Sequence, residues 1–284
     1  MTILLTFILG LASLYLGVIL TLYLRQNKLL YHPWRTMDGC PGDVGLVSEE
    51  YFLDSGGKKI HAWFIPHPQA QATVLFCHGN AGNISHWLDT LALYHDMKLQ
   101  TLIFDYHGYG RSEGRPSENS LRLDVEAAWN FLTREKGISP EKIIMIGRSL
   151  GGAVAAWQAA LSKPGALVLE SAFSSLPELA GELYPFFPAR LLARERYATI
   201  ESLTQASCPV LVVQSPEDEI IPFGHGKRLF AAAKGEKTFL ELEGSHNDCY
   251  FSSMDSYRKG LDSFIASSLH PRESSFGNSF SNPR

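Results

Sequence analysis

The stretch Ile143-Ile144-Met145-Ile146-Gly147-Arg148-Ser149-Leu150-Gly151-Gly152-Ala153 decides the fold. Its apolar run reads as a buried strand, the small residues beyond it as a closely packed helix, and Ser149 stands on the sharp turn between them. A residue on so tight a turn is strained. Glycine at 147 and 151 removes the Cβ atoms that would collide with neighbouring backbone. Gly152, Ala153, Ala155 and Ala156 let the helix lie against a sheet. The helix N-terminus adds unpaired N–H groups and a positive dipole end, both suited to a developing oxyanion. An ordinary N-cap serine needs neither flanking glycines nor partners elsewhere in the chain. The pattern points to a nucleophile elbow, with Ser149 as nucleophile and the Leu150 N–H as one oxyanion donor.

Working outward, Cys208-Pro209-Val210-Leu211-Val212-Val213 reads as a second buried strand, ending in the acidic loop Gln214-Ser215-Pro216-Glu217-Asp218-Glu219. A further strand, Thr238-Phe239-Leu240-Glu241-Leu242, runs into Glu243-Gly244-Ser245-His246-Asn247-Asp248. Asp218 is the favoured acid, with Glu217, Glu219 and Asp248 the alternatives, read as solvated loop charges. His246 is the favoured base; His225 and His107 read as surface or packing residues. Serine is too weak an acid to ionise near neutrality, so His246 must take its proton and return it to the leaving group. The carboxylate orients the imidazole and stabilises its protonated form. The strand Ala72-Thr73-Val74-Leu75-Phe76-Cys77 and the loop His78-Gly79-Asn80-Ala81-Gly82-Asn83 stand where a second oxyanion N–H is expected. Asn80 is the first choice and Ala81 the next, with His78 supporting the loop; a plain strand-to-helix turn is the other reading.

The 284 residues, 45% of them hydrophobic, with a formal charge of −4, bound the answer to one sizeable core without the basic excess that nucleic acid would require. Strands are expected near 46–53 and 59–65, then near Thr73, Thr101, Lys142, Ala166, Pro209 and Lys237. Helices are expected near 84–97, 117–136, 150–162 and 224–233. Such alternation predicts an α/β chain whose mostly parallel sheet is covered on both faces. No cofactor or metal is expected: His61 and His67 lack ligand partners at useful spacing, and Gly108 and Gly110 open no dinucleotide fingerprint. Cys40, Cys77, Cys208 and Cys249 read as reduced thiols.

Residues 3–24 carry no charge, and as a helix they span roughly 33 Å against a hydrocarbon core of roughly 30 Å. A cleaved signal would show a basic n-region and a small-x-small cleavage site, and neither stands out. Arg25, Lys28 and Arg35 follow the span, which predicts a single-pass anchor with the catalytic domain in the cytoplasm. The expected organisation is an anchor over residues 1–25, a catalytic domain over 26–270 and a disordered tail over 271–284. Between Ser171 and Pro209 lies a short insertion with Leu183-Tyr184-Pro185-Phe186-Phe187-Pro188. Its apolar groups either line an acyl pocket or pack onto the sheet, and Arg190, Arg194 and Arg196 either meet head groups or are solvated.

With these residues in hand, the chain resembles the α/β-hydrolase superfamily, and within it the membrane-anchored group of yeast Bem-type and bacterial YfhR-type proteins. The resemblance runs from Gln26 to about Leu269. It is carried by Gln26-Asn27-Lys28-Leu29-Leu30-Tyr31-His32-Pro33, the loop at 78–83, Asp105-Tyr106-His107-Gly108-Tyr109-Gly110-Arg111-Ser112, the elbow, Asp218 and Gly244-Ser245-His246-Asn247. It implies an α/β-hydrolase fold with a short cap, the chain order Ser, Asp, His, and Asp218 as the family's acid. Relatives usually carry arginine at the position of His107; the change reads as tolerated loop chemistry that could cost a local salt bridge. The implied activity is that of a serine hydrolase of carboxylesterase, thioesterase or lysophospholipase type. Its implied partners are a small-molecule or acyl-lipid substrate and the bilayer. A serine peptidase on the same fold and a non-catalytic membrane-tethered scaffold are the competing readings.

Overall fold

A computed structural model describes residues 1–269, and in it the apolar N-terminus is one unbroken helix, α1 (Thr2–Leu30). It is long and apolar enough to cross a membrane and is not buried within the chain. The helix overruns the expected boundary at residue 25 because nothing between Val18 and Leu30 breaks it: the segment holds neither glycine nor proline. The expectation for 271–284 lies outside the described residues.

The strands then follow as β1 (Glu49–Ser55), β2 (Lys58–Ile65), β3 (Ala72–Cys77), β4 (Leu99–Phe104), β5 (Ile143–Arg148), β6 (Ala166–Glu170), β7 (Val210–Gln214) and β8 (Lys237–Glu241). Hydrogen bonding joins them into an eight-stranded sheet in the order β1-β2-β4-β3-β5-β6-β7-β8. From β4 to β8 neighbours run parallel, while β2 is antiparallel to both β1 and β4. The first strand begins three residues later than the sequence predicts. Its register, from Glu49 opposite Phe64 to Ser55 opposite Lys58, is set by the tight Gly56-Gly57 hairpin.

The helices are α2 (Leu88–Asp96), α3 (Glu118–Asn130), α4 (Leu150–Ser162), α5 (Leu176–Leu183), α6 (Ala189–Leu192), α7 (Thr199–Leu203), α8 (Phe223–Ala232), α9 (Cys249–Ser252) and α10 (Met254–Leu269). Two expected helices are shorter than predicted, because the chain enters α2 through a tight turn at Ile84–Trp87 and leaves α3 through a wide π turn at Phe131–Glu135. The strand period of two divides the core. Leu75 and Cys77 join one apolar cluster and Val74 and Phe76 the other, so both faces of β3 are buried. Strand order reverses around β3, which opens a crevice at the carboxyl ends of β3 and β5, where ligands bind in open α/β sheets.

Candidate active site

Ser149 ends up at that crevice because β5 stops one residue before it and α4 starts one residue after it. Its φ of 52° and ψ of −116° are strained for a residue with a side chain. Backbone crowding explains the flanking glycines. A Cβ on Gly147 would lie 2.3 Å from the Gly151 carbonyl oxygen, and one on Gly151 would lie 2.0 Å from that of Cys77. The strained turn is held by the Ser149 N–H, which donates to Glu170 O at 2.8 Å.

The loop after β7 carries Asp218, which is buried behind His246. His246 Nδ1 lies 2.7 Å from Asp218 Oδ2, an atom that also accepts from Gln214 Nε2 at 3.1 Å. Asp218 Oδ1 accepts from the N–H groups of Ile220 and Ile221 at 3.0 and 2.7 Å. Four donors thus converge on one carboxylate, the arrangement an acceptor-only ionised group satisfies. With Nδ1 turned to Asp218, Nε2 is the ring nitrogen left without that partner. Among the described residues the Ser149 hydroxyl makes no hydrogen bond to His246. Contacts of this kind tighten in the Michaelis complex.

The alternative acids are not free loop charges. Glu217 accepts from the Gly244 N–H at 2.9 Å, Glu219 from the His246 N–H at 2.9 Å, and Asp248 from the Ser245 hydroxyl at 2.8 Å. Glu217 and Glu219 stitch the acid loop to the histidine loop; of the four carboxylates, only Asp218 meets the imidazole ring. Arg148, which sequence reasoning left without a task, grips the same loop from the elbow side. Its Nη2 donates to His246 O at 2.8 Å, and its guanidinium lies 5.5 Å from the Trp87 ring centroid.

The loop after β3 is set from behind. Tyr106 donates to His78 O at 2.8 Å and Tyr109 to Asn80 O at 2.7 Å. Asn80 O also accepts the His32 N–H at 2.9 Å, in a short parallel pair between His32–Pro33 and Ala81–Gly82. Burial pushes both tyrosine hydroxyls well above their usual range, so they stay protonated donors. His78 is fully buried, with its Nδ1 2.8 Å from Gly79 O. Burial lowers its pKa, which keeps the ring neutral within the loop it supports. His107, buried against Asp124, and His225, buried against Ser174, are packing residues, as the sequence predicts. His107 Nδ1 hydrogen-bonds Asp124 Oδ1 at 2.5 Å, and the same carboxylate accepts the His107 N–H at 2.8 Å.

Ser149, Leu150, Asn80, Ala81 and His246 border one cavity of about 530 Å³, within the usual size of a small-molecule site. Most of its wall is apolar, drawn from the insertion at Leu179, Leu183, Tyr184 and Phe187 and from α1 at Ile19 and Leu22. The contribution of α1 has no counterpart in the sequence reading. Among the described residues no cluster of His, Cys, Asp and Glu is arranged to hold a metal ion.

Comparison with known proteins agrees with this architecture. A family model described as alpha/beta hydrolase fold matches residues 72–198. The chain is 33% identical to the alpha/beta hydrolase domain-containing protein WAV2 of Arabidopsis thaliana, over 82% of this chain and 85% of that one. It is 32% identical to protein YfhR of Salmonella typhi, over 89% and 93% of the two chains. It is also 32% identical to the membrane protein YNL320W of Saccharomyces cerevisiae, over 84% and 89%. Among solved structures, the Pyrococcus furiosus esterase Pf2001 superposes with a TM-score of 0.69 at 16% identity, covering 83% of this chain and 97% of its own, a likeness of fold.

Proposed function

The chain belongs to the alpha/beta hydrolase family, and from that premise we propose that it is a serine hydrolase anchored in a membrane by α1. It cleaves ester or thioester bonds of acyl or lipid-like substrates through an acyl-Ser149 intermediate. The observation that carries the reading is the 2.7 Å hydrogen bond from His246 to Asp218, behind an imidazole that shares a cavity with Ser149.

In the reaction, the Ser149 oxygen attacks the substrate carbonyl while His246 Nε2 takes the hydroxyl proton. Negative charge gathers on the carbonyl oxygen, where the N–H of Leu150 and that of Asn80, or of Ala81 beside it, donate hydrogen bonds. Collapse expels the alcohol or thiol with the proton from His246 and leaves the acyl-serine. Water then attacks with His246 again as base, and on collapse His246 returns that proton to the Ser149 oxygen as the carboxylic acid departs. Asp218 stays ionised throughout, holding the Nδ1–H tautomer and stabilising the imidazolium.

The apolar cavity favours an acyl chain, and the exposed apolar length of α1 favours a bilayer around it. Under this reading residues 1–25 form the anchor and residues 26–270 the catalytic domain, with Arg25, Lys28 and Arg35 holding that domain on the cytoplasmic side. Labelling of the membrane-embedded protein with a fluorophosphonate probe tests it. The parent is expected to label, whereas Ser149→Ala and His246→Ala are not, and Ser149→Ala is expected to lower ester turnover by about 10³ or more. Parent-level hydrolysis by a folded Ser149→Ala protein would overturn the assignment.

A further inference from the structure

The wall that α1 contributes to the cavity leads beyond the reaction itself. Residues 15, 19, 22, 26 and 30 recur at spacings of three and four, so they share one face of the helix. This face is clamped to the insertion at two levels. At the first, Tyr15 donates its hydroxyl to Phe186 O at 2.9 Å and stacks on the Phe187 ring with centroids 5.8 Å apart. At the second, Gln26 Nε2 donates to Leu192 O and Gln26 Oε1 accepts the Arg194 N–H, each at 2.9 Å. Between the clamps, which a rise of 1.5 Å per residue sets about 16 Å apart, the two elements do not close on each other. There Ile19 and Leu22 of α1 and Leu183 and Tyr184 of the insertion line the cavity that Ser149 also borders.

The level of this gap follows from charge. Arg25 marks where α1 leaves hydrocarbon, and Arg194 reaches the same region, its Nη2 donating to Tyr23 O at 2.7 Å. Tyr15 lies ten residues before Arg25, about 15 Å deeper, which is half of a hydrocarbon core of about 30 Å. The gap therefore lies within one leaflet. Its outer rim matches that medium: Phe186 and Leu191 are each 85% exposed, beside a helix whose Leu16 and Leu20 are exposed as well.

We propose, resting on the hydrolase reading above, that the gap between α1 and the insertion is a lateral route by which the acyl chain of a bilayer-resident ester or thioester passes from the leaflet to Ser149. The anchor helix is thereby one wall of the acyl site. Leu22 is a specificity-determining residue, because it lines the gap between the two clamps.

The test uses the full chain in phosphatidylcholine vesicles. In the Ser149→Ala protein, a phosphatidylcholine with a diazirine on its acyl chain is expected to cross-link to Phe173 and Leu179, which are 3% and 6% exposed and border the cavity. Leu22→Trp is expected to abolish those adducts and to lower, at least tenfold, the ratio of kcat/KM for a long-chain bilayer ester to that for p-nitrophenyl acetate. Leu20→Trp, on the opposite face of α1, should keep the parent's adducts and ratio. Failure of the lipid to reach Phe173 or Leu179, in a chain whose parent reacts with fluorophosphonate, would overturn the route while leaving the hydrolase assignment intact. Equal ratios for Leu22→Trp and Leu20→Trp would do the same. Adducts at the two interior residues in a chain that neither labels nor turns over esters would sustain the route and sink the hydrolase assignment.

Discussion

Replacing Asp218 by asparagine changes one atom, and its consequence can be worked through from the hydrogen bonds around it. The two backbone donors, Ile220 N–H and Ile221 N–H, require an acceptor at the position of Oδ1, so the asparagine carbonyl must take that place. The amide nitrogen is then forced into the position of Oδ2, opposite His246 Nδ1 and Gln214 Nε2. A donor there can be accommodated only by an imidazole that carries its proton on Nε2, and such a ring cannot remove the proton of Ser149. The expected loss is about 10⁴-fold in kcat, or roughly 5.4 kcal/mol of transition-state stabilisation. The fold should survive, less about 1–3 kcal/mol for the opposed donors of residue 218 and Gln214. Hydrolysis of p-nitrophenyl butyrate by protein in detergent micelles, with the melting temperature as the check on folding, measures both. If Asp218→Asn kept kcat within tenfold of the parent, Asp218 would not set the tautomer. Glu219, which already holds the His246 N–H, would be the next acid to replace.

Other consequences concern the scaffold around the site. Gly151→Ala is expected to cost about 3 kcal/mol or more, since its Cβ would press on backbone oxygens of Cys77 and His78 at 2.0 and 2.5 Å. Gly224→Ala, whose nearest neighbour is the movable end of Arg228 at 3.5 Å, should cost nothing; chemical denaturation compares them, and equal stabilities would refute the crowding argument. Tyr109→Phe deletes the hydroxyl donor to Asn80 O but leaves that carbonyl its bond from His32, so the stability loss should stay near 1 kcal/mol. Its kcat should fall more than its KM rises, and an unchanged kcat would show that the loop needs no such brace. Glu195 borders the cavity, and burial, with Glu118 nearby, raises its pKa above the usual carboxylate value. Its folded form then holds a proton longer than its unfolded form, so stability falls as pH rises through the window above about 4.3 and the cost is complete above the folded pKa. Glu195→Gln should therefore gain melting temperature over the parent as pH rises from 4 to 8, and a constant difference across that range would contradict the argument.

The elbow was legible in the sequence because its glycines answer a backbone collision, and such collisions are local. The loops of Asp218 and His246 were legible for a related reason: each follows a short apolar run that reads as a strand, fully buried for β7 and at the sheet edge for β8. Glu217 and Glu219 misled, since a charged loop residue reads as solvated, and whether it meets an N–H of another loop depends on how β7 and β8 pair. Arg148 was silent for the same reason, its partners His246 O and Asn247 O lying about a hundred residues away in sequence. The seam on α1 left almost no trace. A helix apolar on every side gives periodicity nothing to contrast, so the face that meets the insertion looks like the faces that do not. Only Gln26, a polar residue on that face, breaks the uniformity, and its bonds to residues 192 and 194 explain it.

The unbroken course of α1 through Leu30 makes the helix a lever. Without a glycine or proline between Val18 and Leu30, and with Asn80 Nδ2 donating to Leu30 O at 2.8 Å, its last turn is fastened to the very loop proposed to carry the second oxyanion donor. In the anchored arrangement, a tilt imposed on α1 by a thinner or thicker bilayer rotates the whole domain through the same angle. Under the proposed function, membrane thickness then becomes a mechanical input that reaches the reacting carbonyl through one rigid rod.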